Sequence, residues 1–223
     1  IIDVRKRKGD YMIIERKEYL EKLISWKDKK LIKIVTGVRR CGKSMLLEIY
    51  QNYLKQHGIE KEQIIAINFE DLDYEELTDY RKLYQYLKEH LIPGKMTYIF
   101  LDEIQNVPNF PKVLDSLYIK EYVDIYVTGS NAYMLSSEIA TLISGRYVQI
   151  EMLPLSFREY MESTGNMNDR GIKYAEYLQN RSFPNTLEFK NQTNEIREYL
   201  EGIYNTIVVK DIVNRKKITD EGA

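Results

Sequence analysis

The sequence is poor in the features that mark membrane-spanning and disulfide-stabilised proteins. No apolar run approaches the roughly 20 residues that cross a bilayer. Cys41 is the single cysteine, which excludes an internal disulfide framework and a cysteine-ligated metal cluster. No secretory signal is visible. These absences predict a protein of the reducing cytoplasm that has no membrane partner.

The net charge is also small, because 33 Lys and Arg residues nearly balance 34 Asp and Glu residues. A net charge of −1 gives the whole chain no basic footprint for nucleic acid. The basic run at residues 5–8 is local, and we interpret it as a solvated tail. A chain of 223 residues can bury a full core, as one large domain or as a core with a smaller one. Because it starts at Ile1 instead of Met and ends abruptly at Ala223, we expect a fragment of a longer protein.

The sequence does contain a glycine loop between a strand and a helix. Residues 37–44 read G-x-x-x-x-G-K-S, the phosphate-binding P-loop. The β-branched run 31–35 before it predicts a buried strand, and apolar residues at helical spacing follow it. Glycines let the backbone turn its N–H groups toward a phosphate, and the next helix adds its positive dipole end. The expected nucleotide-binding residues are Gly37, Val38, Arg39, Arg40, Cys41, Gly42, Lys43, Ser44 and Met45.

Two side chains of this loop have specific expected roles. Lys43 should bond the β- and γ-phosphate oxygens, and the Ser44 hydroxyl should ligate Mg²⁺. Arg39 and Arg40 are weaker candidates for phosphate contact. We interpret Cys41 as a small filler residue in preference to a redox switch. The loop therefore predicts a nucleoside triphosphate bound with Mg²⁺.

Short apolar runs alternate with helical patterns through the first two thirds of the chain. Strands are predicted at 31–36, 64–69, 97–103, 122–127 and 147–152, and helices at 16–28, 44–57, 79–91 (capped by Thr78) and 109–118. This alternation predicts an α/β fold with a parallel sheet covered by helices on both faces.

After Pro154 the pattern becomes helical only. Helices are predicted at 156–163, 172–180 and 192–213, with no clear strand. We therefore expect three parts: a basic segment and leading helix over 1–30, a P-loop core over 31–155, and a small helical subdomain over 156–223.

An acidic pair ends the third predicted strand. Asp102 and Glu103 follow four apolar residues, and a triphosphate site needs a carboxylate that holds Mg²⁺ through its water shell. Asp102 fits this role. A carboxylate one residue later can polarise the attacking water, so Glu103 is the candidate base.

Two further candidates lie at the ends of other strands. The fourth strand ends in residues 128–131, Thr-Gly-Ser-Asn, at the edge where open parallel sheets bind ligands. Asn131 or Ser130 could reach the γ-phosphate or the water as a sensor. Arg146 precedes the last strand and could stabilise transition-state charge in its own subunit or in a neighbouring one; a surface ion pair is the alternative.

These motifs together resemble a family of predicted AAA+ ATPases of bacteria and archaea, in which an AAA+ core precedes a C-terminal domain of unknown function. The matching strings lie at 35–44, 100–105, 127–131, 144–146 and 153–160, and the last, Leu-Pro-Leu-Ser-Phe-Arg-Glu-Tyr, is the most family-specific. The resemblance implies a P-loop NTPase three-layer α/β/α fold, strand order 5-1-4-3-2 and a helical lid. It also implies that Arg146 is a finger acting on a neighbouring subunit.

The sequence departs from the family pattern in the lid. Arg181 and Ser182 stand where the usual glycine pair precedes Phe183-Pro184, and Asn185-Thr186 follow where related ATPases often have a lid arginine. Arg197 is a weak substitute. The family's C-terminal domain, which resembles restriction-endonuclease-like folds, is expected beyond this chain.

The function predicted from these residues is a Mg²⁺-dependent ATPase that couples ATP hydrolysis to an unknown effector. ATP in preference to GTP follows from the resemblance, since no guanine-reading N-K-x-D string is present. A nucleotide-gated switch or scaffold with negligible turnover is one alternative, and a nucleic-acid-associated motor is another. A small-molecule kinase is the main chemical competitor. Expected partners are ATP, the missing C-terminal domain and, as candidates, a second copy of the chain or a nucleic acid.

Overall fold

The computed structural model describes residues 7–8, 11–12, 14–130, 143, 145–165, 169–180, 182–189 and 192–207. They form two compact units. The sheet unit comprises the described residues of 17–37 and 43–152, and the helical unit comprises those of 1–16, 38–42 and the chain from Leu153 onward. The last stretch of the helical unit begins at Leu153, and residues 17–30 lie in the sheet unit.

The described strands form a two-stranded ribbon and a five-stranded sheet. In chain order they are β1 Arg7–Lys8, β2 Tyr11–Met12, β3 Ile32–Gly37, β4 Ile64–Asn68, β5 Thr97–Asp102, β6 Val123–Ser130 and β7 Tyr147–Met152. The ribbon pairs β1 with β2 in antiparallel fashion. The large sheet has the order β4-β5-β6-β3-β7, and all of its pairs are parallel. Counted from β3 as the first strand, this is the expected order 5-1-4-3-2 read from the opposite edge, so the prediction is confirmed.

The central strands are mostly apolar because helices cover both of their faces. Every residue of β3 and of β5 is buried. Successive side chains of a strand point to opposite faces. One face carries isoleucine and leucine, such as Ile34, Ile99 and Leu101, within the main hydrophobic cluster. The other face carries Phe100 and Tyr126, whose rings stack with their centroids 4.9 Å apart.

Four helices among the described residues of the sheet unit cover these two faces. They are α1 Lys17–Ser25, α2 Lys43–Gln56, α3 Tyr80–Glu89 and α4 Phe110–Tyr118. Leucines of α3 and α4 join the cluster of Ile34 and Leu101, whereas Tyr50 of α2 packs on Phe100 and Tyr126 of the opposite face. Helix α1 lies beside α2. The sheet unit is therefore the expected three-layer α/β/α sandwich.

The described part of the helical unit contains a helix within or overlapping each of the three ranges predicted after Pro154, and residues 208–213 of the third range lie outside the described residues. The three helices are α5 Phe157–Thr164, α6 Arg170–Asn180 and α7 Thr193–Thr206, and a short 3-10 helix at Pro184–Leu187 separates the last two. Ser156 caps α5 in a capping box with Glu159. Among the described residues, no helix combines the length and the apolarity needed to cross a membrane.

One local prediction is wrong. Asp79, not Thr78, caps α3, because its carboxylate accepts hydrogen bonds from the N–H groups of Arg81 and Lys82. Thr78 instead ends a 3-10 helix over Leu72–Thr78, where its hydroxyl donates to the Glu75 carbonyl. Two adjacent cap-forming residues made the sequence ambiguous, and the preceding 3-10 helix decided between them.

Candidate functional site

The P-loop backbone has the turns that its glycines predict. Strand β3 ends at Gly37 with φ 156°, and Gly42 has φ 103° just before α2 begins. Between them, in the helical unit, the Cys41 N–H donates to the Val38 carbonyl at 3.4 Å and Arg40 is left-handed with φ 65°. Such φ values favour glycine, which lacks the Cβ that clashes there. The first turn of α2 contains no acidic residue, so its unpaired N–H groups and dipole favour an anion.

Lys43 lies where the loop meets α2, and its side chain is 4% exposed. Its ammonium donates to the Gly37 carbonyl at 3.2 Å and lies 3.7 Å from the Glu103 carboxylate. The predicted phosphate lysine and the predicted base are therefore neighbours within the sheet unit. Burial strengthens their attraction because water screens it less.

Asp102 is the last residue of β5 and is buried against two hydroxyl groups. Thr128 donates to its carboxylate, and so does the hydroxyl of Ser44 at the start of α2. Burial raises the pKa of Asp102, the two hydroxyl hydrogen bonds partly offset that rise, and the charge of Glu103 adds to it. Two oxygen groups, from Ser44 and Asp102, thus lie together.

Glu103 has a left-handed backbone, with φ 53° and ψ 46°. A non-glycine residue held there costs about 1–3 kcal/mol, so surrounding contacts must fix it. Its N–H donates to Thr128 Oγ1 at 2.9 Å, and Gln105 donates to the carboxylate oxygen that faces away from Lys43. The turn carries the Glu103 side chain back toward α2 once the strand has ended.

Thr128 and Gln105 are site residues that sequence reasoning missed. The sequence marked Thr128 only as the first residue of the polar segment 128–131 and gave it no role. In the structure its hydroxyl donates to the Asp102 carboxylate and accepts from the Glu103 N–H. The position of Thr128 in the sequence could have identified it. Because β6 lies beside β5, a hydroxyl near the carboxyl end of β6 lies next to the two acids. Gln105 gave no comparable signal.

Of the two predicted sensors, Asn131 and Ser130, Asn131 lies outside the described residues. The backbone of Ser130 pairs with Gly37 in the register of β6 and β3, so the polar strand end begins beside the P-loop.

Arg146 does not join Lys43, Asp102 and Glu103. It precedes β7, whose first residue pairs with Ile32 at the amino ends of the strands. The acids lie at the carboxyl ends, and a six-residue strand spans roughly 17 Å. The Arg146 guanidinium pairs with Asp115 and lies 5.3 Å from the ring centroid of Tyr118, both on α4.

The residues present fit Mg²⁺. Among the described residues, no group of three or more His, Cys, Asp or Glu could hold a metal ion. Mg²⁺ rarely uses such an all-protein cage; it is usually bound by one or two protein oxygens together with phosphate and water. The Ser44 hydroxyl and the Asp102 carboxylate are oxygen ligands of this kind.

Comparison with known proteins identifies the family to which the chain is similar. The sequence profile of the AAA domain matches residues 29–161. An uncharacterised protein of Haemophilus influenzae is 39% identical over 214 residues, which cover 93% of this chain and 52% of that protein. An uncharacterised protein of Methanocaldococcus jannaschii is 34% identical over 203 residues, covering 84% and 43% respectively. The chain thus spans about half the length of these relatives.

A solved structure shows the same fold at low sequence identity. The Walker-type ATPase of Pyrococcus abyssi superposes with a TM-score of 0.52 and 14% identity, over 96% of this chain and 78% of that one. The profile covers more than half of the chain, and the chain belongs to the AAA domain family of P-loop ATPases.

Proposed function

We propose that this chain is a Mg²⁺-dependent ATPase that couples ATP hydrolysis to an effector elsewhere in the full-length protein. The supporting observation is that the sheet brings the two strand-end acids to the start of α2. Ser44 donates to Asp102, and the Lys43 ammonium lies 3.7 Å from the Glu103 carboxylate. Hydrolysis of a triphosphate needs these four groups side by side.

Each of these residues has a distinct role in the proposed reaction. Lys43 binds β- and γ-phosphate oxygens, and Ser44 and Asp102 hold the metal ion. Bound Mg²⁺ neutralises charge that develops on the phosphates. Glu103 orients the attacking water and accepts its proton. Asn131 remains the proposed sensor of the γ-phosphate.

Lys43→Ala and Glu103→Gln test this proposal. Both variants should lose at least about a hundredfold in turnover, because each removes a group that acts on the phosphate or on the water. Glu103→Gln should still bind ATP, whereas Lys43→Ala should bind it weakly. Steady-state phosphate release with Mg²⁺ and with a chelator measures the effect. Wild-type rates in both variants would refute the assignment.

A second function, a nucleotide-gated switch with negligible turnover, is favoured by the contacts of Glu103. Lys43 lies near one of its carboxylate oxygens and Gln105 donates to the other, so the candidate base is held on both sides. In a switch, ATP would order the structure without being consumed.

Gln105→Leu separates the two functions. If Gln105 restrains a working base, the variant should hydrolyse ATP several-fold faster than wild type, since Glu103 is released toward water. If wild type and variant both bind ATP and neither exceeds a trace of turnover, with the full-length protein as well, the switch is the better description.

A further inference from the structure

Arg16 is a buried cation that neither the motifs nor the proposed chemistry use. Its side chain is 4% exposed, and it lies in the helical unit. Its backbone is left-handed with φ 51°, an unfavourable conformation for a residue that has a Cβ. A charge that is buried this deeply must be paired and hydrogen-bonded.

The guanidinium of Arg16 contacts three segments of the helical unit. Nη1 donates to the Cys41 carbonyl of the P-loop at 3.0 Å, and Nε donates to Glu159 of α5 at 2.6 Å. Nη2 donates to the carbonyls of Leu153 at 2.6 Å and Pro154 at 3.4 Å. One planar fork therefore joins the phosphate loop to the start of α5.

Both ends of this connection are themselves ordered by hydrogen bonds. Cys41 is buried and its N–H closes a turn on the Val38 carbonyl. The two carboxylate oxygens of Glu159 have different partners. One accepts from Arg16, and the other accepts from the N–H and the hydroxyl of Ser156. A displacement of the Cys41 carbonyl would therefore disturb the hydrogen bonds that cap α5.

The charge of Arg40, in the same loop, also acts on α7. Burial raises the pKa of the Tyr199 phenol, and the positive charge of Arg40 partly offsets that rise. Arg40 thus lies near α7, and it is the residue just before Cys41. Both ties join the loop segment 38–42 to helices of the helical unit.

We propose that Arg16 is a positioning residue that transmits the state of the P-loop to α5. A phosphate that orders residues 38–42 fixes the Cys41 carbonyl, and through Arg16 it stiffens residues 153–164. This inference rests on the proposed nucleotide binding. It assigns a use to the family-specific string 153–160, which supplies two carbonyls and one carboxylate to the fork.

Amide hydrogen exchange on the full 223-residue chain tests the connection first without nucleotide. Arg16→Met and Arg16→Lys should both exchange about tenfold faster or more in residues 38–42 and 153–164, since each loses charge-assisted hydrogen bonds. Lysine keeps the charge but has one ammonium, which cannot serve three segments at once. Arg158→Met, an exposed arginine of α5 paired with Glu162, is the matched control and should exchange as wild type does.

The second arm adds the non-hydrolysable analogue AMP-PNP with Mg²⁺ at saturation. In wild type and Arg158→Met, exchange should slow both in the loop and in residues 153–164. In the two Arg16 variants it should slow in the loop alone. A purely structural role of Arg16 would change the nucleotide-free exchange but not this nucleotide-dependent difference. If Arg16→Met does not fold, Arg16→Lys and Glu159→Gln carry the test.

The outcomes separate the inference from the function on which it rests. Slowing confined to the loop in wild type, or slowing of residues 153–164 in both Arg16 variants, would overturn the coupling. No slowing anywhere in wild type would instead overturn nucleotide binding itself.

Discussion

At the scale of single residues, Thr128 connects the two acids of the site. Its hydroxyl donates to the Asp102 carboxylate and accepts from the Glu103 N–H. Because it is buried near the end of β6, this hydroxyl fixes both the carboxylate proposed to bind Mg²⁺ and the left-handed turn at Glu103. Groups that orient a metal ligand commonly matter almost as much as the ligand.

Thr128→Val should therefore reduce ATP turnover by about 10- to 100-fold and raise the Mg²⁺ concentration needed for half-maximal rate. Valine has nearly the same shape but cannot donate to Asp102 or accept from Glu103. Thr128→Ser keeps the hydroxyl and is the control, with near-normal turnover expected. Turnover measured against Mg²⁺ concentration gives the result, and equal rates for valine and serine variants would contradict it.

Asp102 illustrates the stability cost of a buried carboxylate. Burial raises its pKa, so between the ordinary carboxyl pKa and the raised value the folded state binds more protons than the unfolded state. Stability due to this group therefore falls as pH rises through that window. Asp102→Asn removes the fall and should be more stable than wild type at about pH 7, with no such gain near pH 3. Urea unfolding of both proteins across this range measures the difference, and an unchanged difference at all pH values would argue against it.

At the scale of elements, β3 and β6 are joined by a buried ion pair as well as by their backbones. Lys33 and Asp124 are both essentially unexposed and bond to each other. Asp124 also accepts from the Asp28 N–H and the Tyr126 hydroxyl. Burial lowers the pKa of Lys33 and raises that of Asp124, and their mutual attraction opposes both shifts.

Asp124→Asn should destabilise the fold by roughly 3–5 kcal/mol, because it leaves the Lys33 charge buried without its partner. Lys33→Met combined with Asp124→Asn should cost less than Asp124→Asn alone, since asparagine still accepts hydrogen bonds and no charge is left. A double-mutant cycle in urea unfolding isolates this coupling. Costs that simply add would show that the pair is not coupled.

At the scale of the whole molecule, Arg146 is the predicted site residue that stays apart from the others. It lies at the amino ends of the strands beside α4, whereas Lys43, Asp102 and Glu103 lie at the carboxyl ends. A role within its own subunit does not fit this placement. We therefore keep Arg146 as a proposed finger for a neighbouring copy, which requires a head-to-tail assembly.

Mixing two inactive variants tests that role. Arg146→Ala keeps its own Lys43, and Lys43→Ala keeps its Arg146, so a site that takes Lys43 from the first variant and Arg146 from the second contains both. An equal mixture should recover about a quarter of the wild-type ATPase rate if Arg146 acts in trans, because a quarter of random interfaces are competent. The Asp115→Ala variant, which keeps Arg146 and loses only its ion-pair partner, should remain active. A mixture no faster than its separate components, from proteins shown to exchange subunits, would exclude the finger.

The sequence by itself determined the contiguous parts of this protein. The P-loop at 37–44, the acids at 102–103 and the strand–helix alternation are set by neighbouring residues, whose spacing and polarity act over one turn or one strand. They were enough to predict a parallel sheet covered by helices on both faces, whereas the strand order was implied by the family resemblance. Helix ends were less certain, as at Thr78 and Asp79, because adjacent residues compete for the same cap.

The tertiary structure alone decided which distant groups meet. Thr128 reaches Asp102 because β6 pairs with β5, and Arg16 reaches both Cys41 and Glu159 because the fold of the helical unit gathers three separated segments. Because the strands are parallel, Arg146 before β7 lies at their amino ends, whereas Asp102 lies at their carboxyl ends. Strand register and helix packing fix these distances, and both follow from burial summed over the whole chain instead of from any local pattern.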